Sequence, residues 1–295
     1  MRRLFILLVM CGLILPCFAG NGIGARIGNR ADSVFVFYPS RLAKFPFYSV
    51  FEQYTLCGKA GTFEKNAGVE INAAAMIFSE EDTIFLIQSP LTVEQFQKKA
   101  GGLGASGAQE IKIESSPGFR FSGGSSYGVG SNHALILFTG KGEFLFGEEK
   151  KVTRYLSGGT GNNENIKKCF ALLRPDAAAY GVLTSSKAGR NGFLQSGNAG
   201  TVAFSLCRME GMPSPVVAEV LFFPSSPSRL TALYREVKEY IENVYRTASL
   251  KGPISAEMRH AFTVSMSYGF VRLDMALTDS NGREFFRILL SQWKN

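Results

Sequence analysis

TVAFSLCRMEGMPSPVVAEVLFFPSSPSRLTALYREVKEYIENVYRTA, residues 201–248, decides how the rest of the chain is read. Thr201–Met209 and Pro215–Phe223 are dominated by aliphatic, β-branched and aromatic residues, and Glu210-Gly211-Met212-Pro213 between them is a turn, so the pair predicts a β-hairpin. From Pro227 to about Thr247 the apolar residues Leu230, Leu233, Tyr234, Val237, Tyr240, Ile241, Val244 and Tyr245 recur at three- and four-residue spacing, which predicts an amphipathic helix. Ser226 suits the N-cap, and Pro227 suits the first helical position, where its missing N–H costs nothing. On the polar face Arg235/Glu239, Lys238/Glu242 and Glu242/Arg246 stand four apart. Each such pair adds roughly a few tenths of a kcal/mol. The stretch is an antiparallel hairpin covered by a helix, and it contains no catalytic motif.

Working outward, Ala177–Thr184 is a strand, and the polar loop Ser185–Gly200 leads into the hairpin. Beyond the helix a second hairpin, His260–Tyr268 and Phe270–Thr278, turns at Gly269, and a helix follows from Gly282 to about Trp293. The first half repeats this order. Ser33–Tyr38 is a strand, and a short helix carrying Phe47, Val50, Phe51 and Tyr54 comes after it. Ile71–Phe78 and Asp82–Gln88 form a hairpin, although Ala73–Ala75 is also compatible with a helix. Thr92-Val93-Glu94-Gln95 fits a capping box opening a helix that Gly101-Gly102 closes. Gln109–Glu114 is a strand, and Ser115–Asn132 reads as loop around a short piece at Phe119–Phe121. A hairpin, His133–Thr139 with Glu143–Phe146, precedes helices at 148–156 and 163–173. The echo predicts an α+β protein of two tandem modules, each an antiparallel sheet of hairpins with helices packed on one face. Ser157–Asn163 (SGGTGNN) marks the boundary, placing the first module at 33–160 and the second at 161–295.

Glu143–Val152 (EFLFGEEKKV), Phe170–Leu183 (FALLRPDAAAYGVL) and the helix after the second hairpin together resemble a family of exported bacterial proteins with tandem α+β domains. These proteins are known as domains of unknown function. The resemblance implies a fold and an exported setting. It implies no activity, so no functional residue is carried over from it.

Met1-Arg2-Arg3 is basic, Leu4–Leu15 is an apolar core, and Cys17-Phe18-Ala19 ends on a small residue. That pattern is a secretory signal peptide over 1–19, cleaved after Ala19, followed by a glycine- and asparagine-rich leader over 20–32. The expected location is periplasmic or extracellular. Lipid anchoring through Cys17 is disfavoured because Leu15-Pro16 replaces the small residue such a signal needs before its cysteine. No later stretch approaches the roughly 20 apolar residues of a membrane-spanning helix, so no transmembrane span is expected. Removing Arg2 and Arg3 lowers the formal charge by two, from +8 to +6. The remaining basic residues are scattered rather than gathered into the stripe a nucleic-acid binder shows, so no nucleic acid is expected.

The chemistry-bearing residues are sparse. Only His133 and His260 are histidines, and neither has metal-ligand spacing, so no metal and no cofactor is expected. Cys57, Cys169 and Cys207 are an odd number after signal removal and allow at most one disulfide, with the pairing open. Ser185-Ser186-Lys187 is the one local set for a serine–lysine hydrolase. The glycine-rich stretches at 101–107, 122–130 and 157–161 match no phosphate-binding motif. Glu80/Glu81 and Glu148/Glu149 sit beside turns and read as solvated acids. Tyr234, Tyr240 and Tyr245 lie on the apolar helix face and read as core, whereas Tyr127, in the loop Ser122–Asn132, is the better candidate for contact. The expected function is a non-catalytic exported protein working through a protein or cell-envelope partner. Two alternatives stand beside it: an exported hydrolase using Ser185 and Lys187, or a cysteine with His260, and a carrier of an apolar small ligand.

Overall fold

In Ser33–Phe37 (SVFVF) four of five residues are buried, the signature of a strand covered on both faces rather than one. The computed structural model describes residues 23, 31–45, 48, 70–79, 82–100, 108–122, 133–140, 142–157, 164–174, 176–184, 197–211, 215–249, 256–278 and 280–283. The expected signal peptide, Cys17, Cys57, the helix at 47–54 apart from Tyr48, and most of the helix at 282–293 lie outside them.

The first half contains β1 (Ser33–Phe37), α1 (Pro39–Leu42), β2 (Ala73–Ser79), β3 (Asp82–Gln88), α2 (Val93–Ala100), β4 (Gln109–Ile113), β5 (Ser116–Ser122), β6 (His133–Gly140), β7 (Glu143–Glu148) and α3 (Glu149–Ser157), and α4 (Glu164–Leu172) opens the second. The second half contains β8 (Ala179–Thr184), β9 (Ala199–Arg208), β10 (Val216–Pro224), a 3₁₀ turn at Pro227–Arg229, α5 (Leu230–Ser249), α6 (Ala256–His260), β11 (Phe262–Ser267) and β12 (Phe270–Leu277). The α+β class holds.

The two expected sheets are a single sheet of 12 strands in the order β11-β12-β10-β9-β8-β1-β2-β3-β7-β6-β5-β4. Its neighbouring strands are antiparallel throughout. The halves meet where β1 pairs with β8, Phe35 opposite Gly181. Outward from that seam the order is β1-β2-β3-β7-β6 one way and β8-β9-β10-β12-β11 the other, with β5-β4 added to the first half.

Helices cover both faces, which corrects the expectation of one. Phe37, Val202, Leu206, Val220 and Leu273 share one core with Leu233, Val237 and Ile241 of α5 and Phe96 of α2. Val34, Val36, Ile77, Leu86 and Val182 share the other with Val152 of α3 and Ile166 and Cys169 of α4. Alternate residues of one strand fall into different cores, as the pleat requires.

Local details follow the side-chain chemistry. The alanine run 73–75 is strand, because its small side chains are buried on both faces beneath α-helices. The capping box at α2 forms: the Thr92 N–H reaches Gln95 Oε1 at 3.0 Å and the Gln95 N–H reaches Thr92 Oγ1 at 3.2 Å. Ser226 behaves differently. It is extended, and its hydroxyl lies 3.1 Å from that of Ser228 instead of bonding a backbone N–H. The first turn is 3₁₀ and closes through the Arg229 N–H to the Ser226 carbonyl at 2.9 Å. Ser116–Ser122, expected to be mostly loop, is the strand β5, paired with both β4 and β6.

Gly181 is required at the seam. A Cβ there would lie 2.7 Å from the Phe204 ring and 2.8 Å from the Val34 carbonyl. Phe204 lies across from Gly181 on β9 and Phe35 across from it on β1, and the two rings stack above the glycine with centroids 5.6 Å apart. Gly181→Ala is expected to destabilise the protein by about 1–3 kcal/mol through overpacking. The measurement is the urea midpoint at unchanged slope, and a midpoint equal to the parent's would contradict the account.

Candidate functional site

The candidate residues read from the sequence fall into two groups. Tyr127, Ser185 and Lys187 lie outside the described residues. His260 is exposed at the end of α6 and His133 is exposed at the start of β6. With β11 first and β6 tenth in strand order, the histidines are separated by roughly 40 Å at the usual inter-strand spacing. The structure does not bring them together. Cys169 and Cys207 carry free thiols and are both buried. Cys169 packs in the α3–α4 core together with Ala203 of β9, and Cys207, four residues along β9 from Ala203, faces that same side. Met258 of α6 packs into the opposite core, so neither described cysteine shares a face with His260. Burial pushes the Cys169 thiol up to about 11. Burial, then the nearby Asp176 carboxylate, does the same to Cys207, also to about 11. A thiol of that acidity is protonated at neutral pH and is a poor nucleophile.

The tyrosines of α5 pack as expected. The Tyr245 hydroxyl donates to the Met258 and Arg259 carbonyls at 3.2 and 2.9 Å, and its ring meets Phe262 edge-on at 5.5 Å. Lys238 lies over the Tyr234 ring, 5.0 Å from its centroid.

The structure adds a constellation that strand periodicity does not reveal. In the strand VVAEVLFFP, Glu219 is the single charge, and it is only 5% exposed. Its register partners are Ser205 on β9 and Asp274 on β12, which places two carboxylates side by side. Like charges directly opposite repel. Arg272 settles the pair: its guanidinium lies 3.2 Å from Glu219 Oε1 and 2.9 Å from Asp274 Oδ1. Ser205 Oγ adds a longer bond to Glu219 Oε2 at 3.4 Å. Beyond Ser205, the Cys207 thiol lies 3.9 Å from Asp176 Oδ1, and Arg174 forks onto Asp176 at 3.2 and 3.1 Å. Burial works to raise the Asp176 carboxyl, but the Arg174 hydrogen bonds and charge outweigh it and hold it below the usual carboxylate range. The acid at position 219 inside an apolar strand is the sequence signal that marks this row. Its three carboxylates, Glu219, Asp274 and Asp176, share two guanidinium groups, Arg272 and Arg174, and the Cys207 thiol keeps its proton. Among the described residues no group of three or more His, Cys, Asp or Glu side chains is arranged to hold a metal ion.

The sheet's two outermost described strands differ. β4 (QEIKI) presents Glu110 and Lys112, both exposed. β11 (FTVSMS) has no charge, and its hairpin carries Met266 at 52% exposure and Tyr268 fully exposed. No described helix is long and apolar enough to cross a membrane.

No family model matches the sequence, and no curated protein matches it. The fold is similar to that of TP0453 in its crystal form III, at a TM-score of 0.50 and 8% identity over 92% of this chain and 98% of that one. Crystal forms I and IV of TP0453 align at TM-scores of 0.47 and 0.46, again at 8% identity. The similarity is one of fold.

The polar row generates a stability prediction. Arg272→Ala leaves the Glu219 carboxylate buried beside Asp274 and is expected to cost about 2–3 kcal/mol. Adding Glu219→Gln to that variant should restore most of the loss in the same denaturant titration, and no recovery in the double variant would contradict the charge account.

Proposed function

We propose that this chain is an exported, non-catalytic α+β protein that acts in the cell envelope or outside the cell through protein contacts, with the β11–β12 hairpin as its contact surface. The observation that carries this reading is the paired exposure of Met266, on an uncharged outer strand, and Tyr268, in the turn that follows it. A soluble sheet normally blunts its edges with charge, as β4 does with Glu110 and Lys112, because unpaired strand edges attract other strands. Among the described residues one outermost strand is uncharged while the other is charged, which singles out the uncharged one for contact. The basic–apolar–small pattern of residues 1–19 supports export. The matching strand orders on either side of the β1–β8 seam support an origin of the two halves, 33–160 and 161–295, as copies of one module.

The test has two arms. A photo-crosslinking residue at Tyr268, in full-length protein produced by the cells that make it, is expected to give a discrete adduct that Met266→Lys weakens about tenfold or more. Absence of an adduct overturns the contact surface. Purified protein is expected to leave ester, peptide and glycoside substrates intact. Hydrolysis that disappears in Lys187→Ala or His260→Ala would overturn the non-catalytic reading and revive the hydrolase.

A further inference from the structure

We infer that the partner of β11 is β11 of a second copy, so that two molecules join edge to edge into one continuous antiparallel sheet. The inference rests on the reading of this hairpin as a contact surface and adds to it the identity of what binds there.

The geometry of the hairpin sets which backbone groups are available. Tyr268-Gly269 is a two-residue connection, with Gly269 at φ +92°, so Ser267 and Phe270 form its hydrogen-bonded closing pair. Hydrogen-bonded pairs then alternate along the ladder at Ser265–Arg272 and Thr263–Asp274. The Ala276 N–H to Ala261 carbonyl bond, 2.8 Å, continues the same alternation past the strand. Val264 and Met266, falling between these pairs, aim their N–H and C=O groups away from β12.

The side chains match this edge to itself. Val264 packs with the core under α5, and by strand alternation Met266 lies on that face too. Thr263, Ser265 and Ser267 lie on the other. A twofold axis normal to the sheet keeps each face on its own side. Passed through Ser265, it sets Val264 of one copy against Met266 of the other, twice, as hydrogen-bonded pairs. The four outward N–H and C=O groups of each copy then form four inter-strand bonds. Ser265 meets Ser265 on the axis, and Thr263 meets Ser267. Apolar faces apolar, hydroxyl faces hydroxyl, and no charge opposes another. A strand with charged side chains would find no counter-ion on β11. The protein already contains a junction of this kind: β1 and β8, the leading strands of the two halves, are joined antiparallel in the same manner.

The decisive experiment uses the twofold pair. Residues facing each other in a non-hydrogen-bonded antiparallel pair lie about 4.5 Å apart at Cα, within disulfide range. Ser265→Cys in the full chain is therefore expected to give a dimer on a non-reducing gel under mild oxidation, while the parent stays monomeric on that gel. Sedimentation of the parent across a concentration series is expected to show a monomer–dimer equilibrium, which Met266→Lys weakens about tenfold or more. A parent that sediments as monomer throughout, or a dimer that Ser265→Cys fails to lock, overturns the inference. If in addition the Tyr268 crosslink captures a different protein, the contact reading survives and the second copy is replaced by that protein. If the Tyr268 crosslink captures nothing, both readings fail together.

Discussion

The β1–β8 pairing is the interaction on which the rest depends. Five residue pairs, Ser33–Leu183 through Phe37–Ala179, turn what would be two half-sheets into one. β1 is buried on both faces, so the backbone groups that β2 and β9 do not take on β1 and β8 are satisfied by pairing with each other. The seam is fastened on one face by Phe35 and Phe204 stacked across Gly181, and on the other by Val34, Val36 and Val182 beneath α4. Arg41 of α1 adds a tie across the halves by donating to the Ala177 carbonyl at 3.0 Å, and Tyr38 and Tyr180 stand 6.3 Å apart beside it. Closing the centre leaves the ends as the places where the sheet meets its surroundings. The proposed contact surface rests on the difference between the two ends, β4 charged and β11 uncharged.

Charged groups inside this architecture are arranged for stability. Arg272 bridges Glu219 and Asp274, and Arg174 pairs with Asp176, within a row that crosses β9, β10 and β12. A catalytic set requires a group whose acidity is tuned toward its task and a space for substrate beside it. Among the described residues around this row the perturbed groups include thiols pushed out of reach of neutral pH and a carboxylate held ionised by a fixed partner. The histidines stand far apart along the sheet.

Much of the fold is legible in the sequence. The apolar and β-branched runs between turn residues locate the hairpins 73–88, 133–148, 199–224 and 262–277 to within a residue or two, and the 3.6-residue period locates α5. The capping box at Thr92 is readable because it is a local hydrogen-bond motif. What periodicity does not encode is which strands meet across long separations. The pairing of Ser33–Phe37 with Ala179–Thr184 is set by burial on both faces, not by any local signal, and so local patterns suggest two sheets where there is one. β5 is hard to read because Ser116-Pro117-Gly118 are weak strand formers, held by pairing on both sides. The polar row is hidden for a related reason: Glu219, Ser205 and Asp274 are far apart in the chain, and only the register makes them neighbours. Among site candidates, the exposed tip Tyr268 does have a local signal, Tyr-Gly at a hairpin turn preceded by an uncharged strand.

The central claim, that the two halves are one cooperative sheet welded at β1–β8, is tested most directly by native-state hydrogen exchange of the β1 and β8 amides over a denaturant series. The account predicts that these amides exchange last, and through the same global opening as those of β2 and β9. Exchange of residues 33–160 and 161–295 through two separate openings, with the β1 and β8 amides unprotected between them, would contradict it.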